Sequence, residues 1–243
     1  MRFLELTLPT PAENLACDEA LLDFLEADGG SGPAPSGEGI LRFWEAREHF
    51  IVLGYSNKAR TEAHLDRARQ DNIPVLRRCT GGGAVLQGPG CLNYSLILPI
   101  TDQVNETNRS IMQRHAAALS SLIPHPSSLL VRGHSDLTLG DLKFSGNAQR
   151  RKRRYLLFHG SFLLNLDLER IERLLPLPTR EPDYRHHRSH REFLMNVELA
   201  GQRIRDALKQ DWQATQPFTD VPLEKIAALA RQQYASDNWT YKF

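Results

Sequence analysis

The sequence predicts a mixed α/β fold of the α+β type, a largely antiparallel sheet flanked by helices. Three observations predict it. Strand-like stretches follow one another closely enough to form hairpins. Segments with helical spacing of leucines lie between and after them. The 243 residues, 41% hydrophobic and 24% charged, suit one soluble domain spanning 1–243.

Residues 2–8 alternate apolar and polar and read as a strand, and 11–26 carry Leu15, Leu21, Leu22 and Leu25 near helical spacing. Residues 28–39, DGGSGPAPSGEG, form the one low-complexity segment and read as a flexible surface loop. Residues 40–44 and 50–53 read as a β-hairpin leading to Gly54. An amphipathic helix is expected over 61–72, a short strand over 74–78, a strong strand over 91–99, and a helix over 105–122 capped by Asn105 or Thr107. Short strands follow at 129–131, 137–139 and 143–148, a further strand at 155–165, and a short helix at 168–174. The last third reads as helical over 191–212 and 223–234. No internal repeat is present.

A formal net charge of +1 gives no global pull toward nucleic acid or an anionic membrane. The longest apolar runs are too short to span a bilayer, and the N-terminus lacks a signal-peptide pattern. Three cysteines, Cys17, Cys79 and Cys91, with no CxxC spacing argue against a disulfide scaffold or a structural zinc site and point to the reducing cytoplasm. His186, His187 and His190 cluster in YRHHRSHREF, but the arginines among them would repel a metal cation, so this is read as a solvated segment.

Four segments carry candidate chemistry. In RRCTGGGAV (77–85), three glycines after a strand strip every Cβ from a turn, so backbone N–H groups can approach an anion. The segment is neither a Walker A loop nor GxGxxG. In GDLKFSGNAQ (140–149), Lys143 could neutralise a phosphate or polarise a carbonyl. In FHGSFLL (158–164), His159 enters an apolar strand, where it reads first as a satisfied structural histidine and otherwise as one that orients a neighbour or touches substrate. The run Arg150, Arg151, Lys152, Arg153 and Arg154 has no interleaved aromatics, so it reads as a solvated loop or a dock for an acidic partner, and nucleic acid is disfavoured.

Taken in order, ENLACDEALL (13–22), RFWE (42–45), VLGYSN (52–57), PVLRRCTGGGAV (74–85), GPGCLNYS (88–95), GHSDL (133–137), KFSGNAQR (143–150) and HGSFLL (159–164) resemble the catalytic domain of the lipoate–protein ligase A family, within the biotin/lipoate ligase and octanoyltransferase superfamily. The likeness covers nearly the whole chain. It implies the fold shared with biotin ligase and related to class II synthetase cores. It also implies a reaction: ATP and Mg²⁺ convert lipoate (or octanoate) to an acyl-adenylate, and the acyl group passes to a lysine of a lipoyl-carrier protein. Such a carrier is an E2 domain of a 2-oxoacid dehydrogenase or a glycine-cleavage H protein.

On this resemblance Lys143 is the catalytic residue, contacting the acyl carbonyl and α-phosphate. The adenylate and lipoyl site would be lined by Arg78, Thr80, Gly81, Gly82, Gly83, Ala84, Val85, Leu86, Gln87, Asp136, Ser145, Gly146, Ala148 and His159, with Asp136 the candidate Mg²⁺ contact. Trp44, Val52, Leu53, Gly54 and Tyr94 would line an apolar lipoyl tunnel, and Arg150–Arg154 would dock the acidic carrier.

The transferase branches of the superfamily hold the acyl group on a cysteine placed near the position of 132–136 or just before the HG of 159–160. Neither place holds cysteine here, which favours the ligase branch. Many ligases continue into a C-terminal accessory domain where this sequence ends at Phe243, so the chain is expected to use a separate accessory subunit, to act alone as a minimal ligase, or to transfer only from preformed lipoyl-AMP. The ATP-independent transferase, and a non-catalytic regulator binding lipoyl-AMP or nucleic acid, remain the alternatives.

Overall fold

The computed structural model describes residues 1–28 and 39–243; the loop expected over 28–39 lies almost wholly outside them. Strand β1 (Arg2–Glu5) leads to helix α1 (Pro11–Asp28). Thr10 and Glu13 start that helix reciprocally: the Thr10 hydroxyl accepts from the Glu13 N–H at 3.2 Å and the Glu13 carboxylate accepts from the Thr10 N–H at 2.9 Å. Strands β2 (Ile40–Glu45) and β3 (Phe50–Leu53), helices α2 (Ala59–Glu62) and α3 (Leu65–Gln70), and strands β4 (Val75–Arg77), β5 (Val85–Gln87) and β6 (Cys91–Pro99) follow. After α4 (Val104–Ser120) come β7 (Leu129–Arg132), β8 (Asp136–Leu139), β9 (Leu142–Arg151) and β10 (Tyr155–Leu163). The chain closes with α5 (Leu168–Leu174), α6 (His190–Phe193), α7 (Gly201–Asp211), β11 (Gln216–Pro217), α8 (Leu223–Leu229) and α9 (Asp237–Thr240).

Among the described residues the strands form an eight-stranded sheet, β11-β1-β2-β6-β10-β9-β8-β7, and a three-stranded sheet, β4-β3-β5. From β2 onward the large sheet is antiparallel; β1 pairs parallel with both β2 and β11. A mixed, mostly antiparallel sheet with flanking helices is what the sequence predicts.

The departures have identifiable causes. The hairpin expected from 40–53 does not form, because β2 pairs along its length with β6 while β3 joins β4 and β5 in the other sheet. The helix expected over 61–72 breaks at Ala63, which is extended (φ −147°, ψ 141°), where the His64 N–H turns to the Leu174 carbonyl at 2.9 Å. The α4 helix starts one residue earlier than expected, at Val104, and its cap is Gln103, whose N–H meets the Glu106 carboxylate at 3.2 Å, rather than Asn105 or Thr107. The helix expected over 191–212 is interrupted at 194–200. There the backbone bonds to the sheet instead: Met195 N–H to the Lys143 carbonyl at 2.9 Å, and Val197 N–H to the Leu163 carbonyl at 2.8 Å. No described helix is long and apolar enough to cross a membrane.

The large sheet has a core on each face. Ile40, Trp44, Ile97, Tyr155 and Leu157 meet α1 and α8 on one side; Leu41, Phe43, Tyr94, Phe158 and Phe162 meet α4 and α7 on the other. His115 sits fully buried in the second core, its Nε2 accepting from the Trp212 indole at 2.9 Å. Burial, with the Arg114 charge beside it, pushes its pKa down to about 3. The unfolded chain therefore binds a proton here that the folded chain refuses. Stability should fall below pH ~6.5 at up to about 1.4 kcal/mol per pH unit from this group, down to pH ~3. Urea midpoints at pH 7 and pH 5 should differ less in His115→Gln than in the parent; equal differences would refute this.

Candidate active site

The site is built on the α1 face of β9 and β10. Strict alternation along β9 would place Lys143, Ser145 and Asn147 together. The register breaks that pattern: Leu137 faces Ser145 while Thr138 faces Lys143, so Phe144 is an extra residue. This bulge turns Phe144 into the far core, stacked on Phe162 at 6.5 Å. Lys143 then points to the face of Gly146, with its Nζ only 2.8 Å from where a Gly146 Cβ would be. Glycine at 146 is therefore what leaves room for the ammonium. The Asp136 Oδ1 pairs with Lys143 Nζ at 2.8 Å.

The glycine turn packs on this same face. A Cβ on Gly82 would lie 3.9 Å from that of Ala148, and Gly82 adopts φ +89°, a conformation that excludes most side chains. Gly54 lies against the Gly82 carbonyl. Gly81, Gly82 and Gly83 are exposed, so the turn offers its backbone to the exterior. The turn and Lys143 thus converge on one face.

A buried polar chain supports the turn from below. His159 stands beside Ala148 in the register. Its Nδ1 meets Asp18 Oδ2 at 2.9 Å and its Nε2 meets Thr80 Oγ1 at 2.7 Å. Because an ionised Asp18 only accepts, Nδ1 carries a proton, and Nε2 shares its hydrogen bond with the Thr80 hydroxyl. Asp18 Oδ1 in turn accepts from Arg42 at 2.6 Å and from Ser95 Oγ at 2.6 Å. Burial pulls the Asp18 pKa up, but the His159 hydrogen bond and the Arg42 charge outweigh it and hold it below the usual carboxylate value.

Several predicted residues serve the site indirectly or not at all. Arg78 is buried, and its guanidinium donates to Thr80 Oγ1 (3.0 Å) and to the carbonyls of Gly81 (2.6 Å), Gly83 (2.9 Å) and Val52 (3.3 Å). It shapes the turn from inside rather than meeting a ligand, and burial lowers its pKa to about 10. Ser145 falls on the opposite face with Asn147, 3.4 Å away, because of the bulge. Leu86 packs beneath β3 with Ile51 and Leu53, while Val85 is exposed and Gln87 half-buried. Ala84 is also half-buried.

Of the tunnel candidates, Trp44 and Val52 share the α1-side core. Leu53 points to the other side of β3, and Tyr94 to the other side of β6, where it packs on Phe162 at 5.3 Å. Both are corrections that follow from strand alternation. The basic run is not a solvated loop: it ends β9 and turns into β10. Arg150 pairs with Glu19 at 2.8 Å, Lys152 with Asp23, and Arg151 donates to the Asp102 carbonyl and Thr107. Arg153 is its exposed member. These ion pairs reduce what the run can offer an acidic partner.

Two features escaped the sequence reading. Asp18 lies 141 positions from His159, with no local signal linking them. The YRHHRSHREF segment is solvated at His186, His187, Arg191 and Glu192, and its other residues strap over the site. The Tyr184 hydroxyl donates to Asp136 Oδ2 at 2.7 Å, His190 and Arg185 are buried, and Leu194 bridges to Lys143.

All three cysteines are buried and free, and burial pushes their pKa values up to about 11, 11 and 12 for Cys17, Cys79 and Cys91. Burial therefore disfavours the thiolate form at all three.

A mixed sheet presenting an ammonium and an exposed glycine turn on one face offers a surface suited to an anionic ligand. Residues 10–212 match the family model for the lipoyl protein ligase A/B catalytic domain, and the chain belongs to that family. It is 27% identical to the octanoyltransferase LipM of Lysinibacillus sphaericus, over 96% of this chain and 95% of that one. It is also similar to the structure of a lipoate-protein ligase A bound with ATP (TM-score 0.78, 25% identity, 99% of this chain and 98% of that one). A third likeness is to a bi-partite lipoate protein ligase from Thermoplasma acidophilum, studied with its E2 lipoyl domain (TM-score 0.77, 26% identity, covering 99% and 95%). Ligases and transferases both stand among its relatives.

Proposed function

We propose that this chain is a lipoate–protein ligase: it activates lipoate with ATP to lipoyl-AMP and passes the lipoyl group to a lysine of a lipoyl-carrier domain. The observation that carries the ligase reading is the state of the cysteines. A transferase of this family holds its acyl group as a thioester, and here every cysteine is buried with its thiol pKa raised. Activation as an adenylate needs no protein nucleophile.

In the first step a lipoate carboxylate oxygen attacks the α-phosphorus and pyrophosphate leaves. In the second the carrier amine attacks the acyl carbon, the C–O bond to phosphate breaks, and AMP leaves with the amine proton lost to solvent. Negative charge grows on the phosphate oxygens in the first step, and on the carbonyl oxygen and the departing phosphate in the second. On this reading Lys143, paired with Asp136, and the N–H groups of the 81–83 turn meet it, which the Lys143–Asp136 pair and the Gly82–Ala148 proximity support. Among the described residues no cluster of three or more His, Cys, Asp or Glu could hold a metal ion. Mg²⁺ would therefore enter on the triphosphate, with Asp136 as a neighbouring carboxylate. An acidic lipoyl carrier and, by analogy with the bi-partite relative, a second subunit are the proposed partners; the compartment proposed from the sparse cysteines is the cytoplasm.

The test is direct. Purified protein with ATP, Mg²⁺, lipoate and an apo lipoyl domain should add one lipoyl group to one lysine and release AMP, with and without a candidate second subunit. Acyl transfer from a carrier thioester without ATP would instead assign the transferase reaction. DNA retention that depends on salt, with no acyl transfer from any donor, would make the chain a regulator.

A further inference from the structure

Lys143 is held at its backbone and at its ammonium by the same stretch of chain, 184–195. Its carbonyl accepts from the Met195 N–H at 2.9 Å, and Leu194 runs beside it in a parallel bridge. Its ammonium pairs with Asp136 Oδ1 at 2.8 Å, and the other oxygen of that carboxylate, Oδ2, accepts from the Tyr184 hydroxyl at 2.7 Å.

The ion pair alone is a weak anchor. Its lysine and aspartate side chains are 25% and 12% exposed, and a partly exposed pair of flexible side chains holds its geometry loosely. The terminal torsion of an aspartate is broad, so a carboxylate bonded through one oxygen swings and carries its partner with it. A bond on the second oxygen removes that freedom. Tyr184 supplies it from a ring that is itself wedged in place. The Phe193 ring lies 5.2 Å away, the Arg132 guanidinium stands 5.5 Å from the ring centroid, and a Cβ on Gly133 would lie 3.6 Å from the ring. The Tyr184 carbonyl is fixed as well. It accepts from Arg188 Nη2 at 2.9 Å, and the same nitrogen donates to the Asp141 carbonyl at 3.1 Å.

We propose that Tyr184 is a positioning residue: by fixing the plane of the Asp136 carboxylate, its hydroxyl fixes where the Lys143 ammonium stands. The inference rests on the reading of Lys143 as the catalytic residue. Misplacing a reacting group by about 1 Å can cost on the order of a hundredfold in rate, so a hydroxyl that acts only through a carboxylate still sets the rate.

The measurement is a double-mutant cycle on acyl delivery, from lipoate with ATP or from a carrier thioester, whichever donor the chain uses. Its members are the parent, Tyr184→Phe, Lys143→Ala and the double variant, with Tm as the control for folding. Tyr184→Phe keeps the ring and removes only the hydroxyl. It is expected to lower kcat about tenfold, the effect of losing one hydrogen bond to a charged group, with the carrier KM held within about twofold. In the Lys143→Ala background the same change should cost less than about twofold, because the group it positions is gone. Phe193→Leu, which loosens the ring but keeps the hydroxyl, should lower Tm more than Tyr184→Phe and kcat less. An equal loss in both backgrounds, or a parental kcat in Tyr184→Phe, would overturn the positioning role alone. A parental rate in Lys143→Ala would remove the catalytic reading of Lys143, and the positioning role with it.

Discussion

Lys143→Ala is expected to lower acyl delivery by about 10²–10³-fold while leaving the fold intact. The side chain is partly exposed, at 25%, so its loss opens no sealed cavity. Asp136 keeps the Tyr184 hydroxyl at 2.7 Å, so the carboxylate is not left bare. The effect should fall on both half-reactions, because in the proposed mechanism the same ammonium meets the carbonyl and the phosphate. Single-turnover AMP formation and transfer from supplied lipoyl-AMP would separate them, with Tm as the control for folding. Lys143→Arg should recover little, since the bulky guanidinium does not fit where Gly146 leaves room for one ammonium. Delivery by Lys143→Ala within threefold of the parent would remove the catalytic assignment.

The sequence made some of this legible and hid the rest for physical reasons. Helix α1, strand β6 and helix α5 are readable because local periodicity decides them: the observed α5 and β6 bounds match the expected 168–174 and 91–99. The glycine turn and Lys143 are readable as types, since a side-chain-free turn and a lysine before a glycine are local patterns. Their convergence is not, because it depends on a bulge at Phe144 visible only in the pairing of β8 with β9. The same bulge sends Ser145 away from the site where simple alternation would have kept it. The basic run misled because a string of cations reads as solvated, while its partners Glu19 and Asp23 lie on α1, some 130 residues earlier. Residues 194–200 misled in the opposite sense, since nothing in their spacing shows that the sheet will take their backbone hydrogen bonds. Long-range partners fix these elements, and a single sequence carries no record of them.

Asp18→Ala should be the most damaging single change to stability. Arg42 is fully buried, and Asp18 supplies the one carboxylate it touches, at 2.6 Å, among the described residues. The other acceptors of the guanidinium are the Leu6 and Asn14 carbonyls and Asn14 Oδ1, all neutral. Removing one partner of a buried pair leaves a charge that neither water nor a counter-ion reaches, at a cost of about 3–5 kcal/mol. For a chain of this size that corresponds to a fall in Tm of roughly 10 °C. Replacing both partners, as Asp18→Leu with Arg42→Met, should recover most of the loss, which distinguishes an uncompensated charge from a simple packing defect. The pH dependence gives an independent check. The Asp18 carboxyl is held below its usual value in the folded chain. Its contribution is therefore present above the unfolded carboxylate pKa of about 3.9 and lost as pH falls through the lower folded value. The gap in stability between parent and Asp18→Asn should be full at pH 7 and should close toward the acid limit. Because Asp18 also fixes the tautomer of His159, and through it the Thr80 hydroxyl at the foot of the glycine turn, the Asn variant should lose acyl delivery even at temperatures where it is fully folded. A folded, fully active Asp18→Asn would show that this buried chain only stiffens the core.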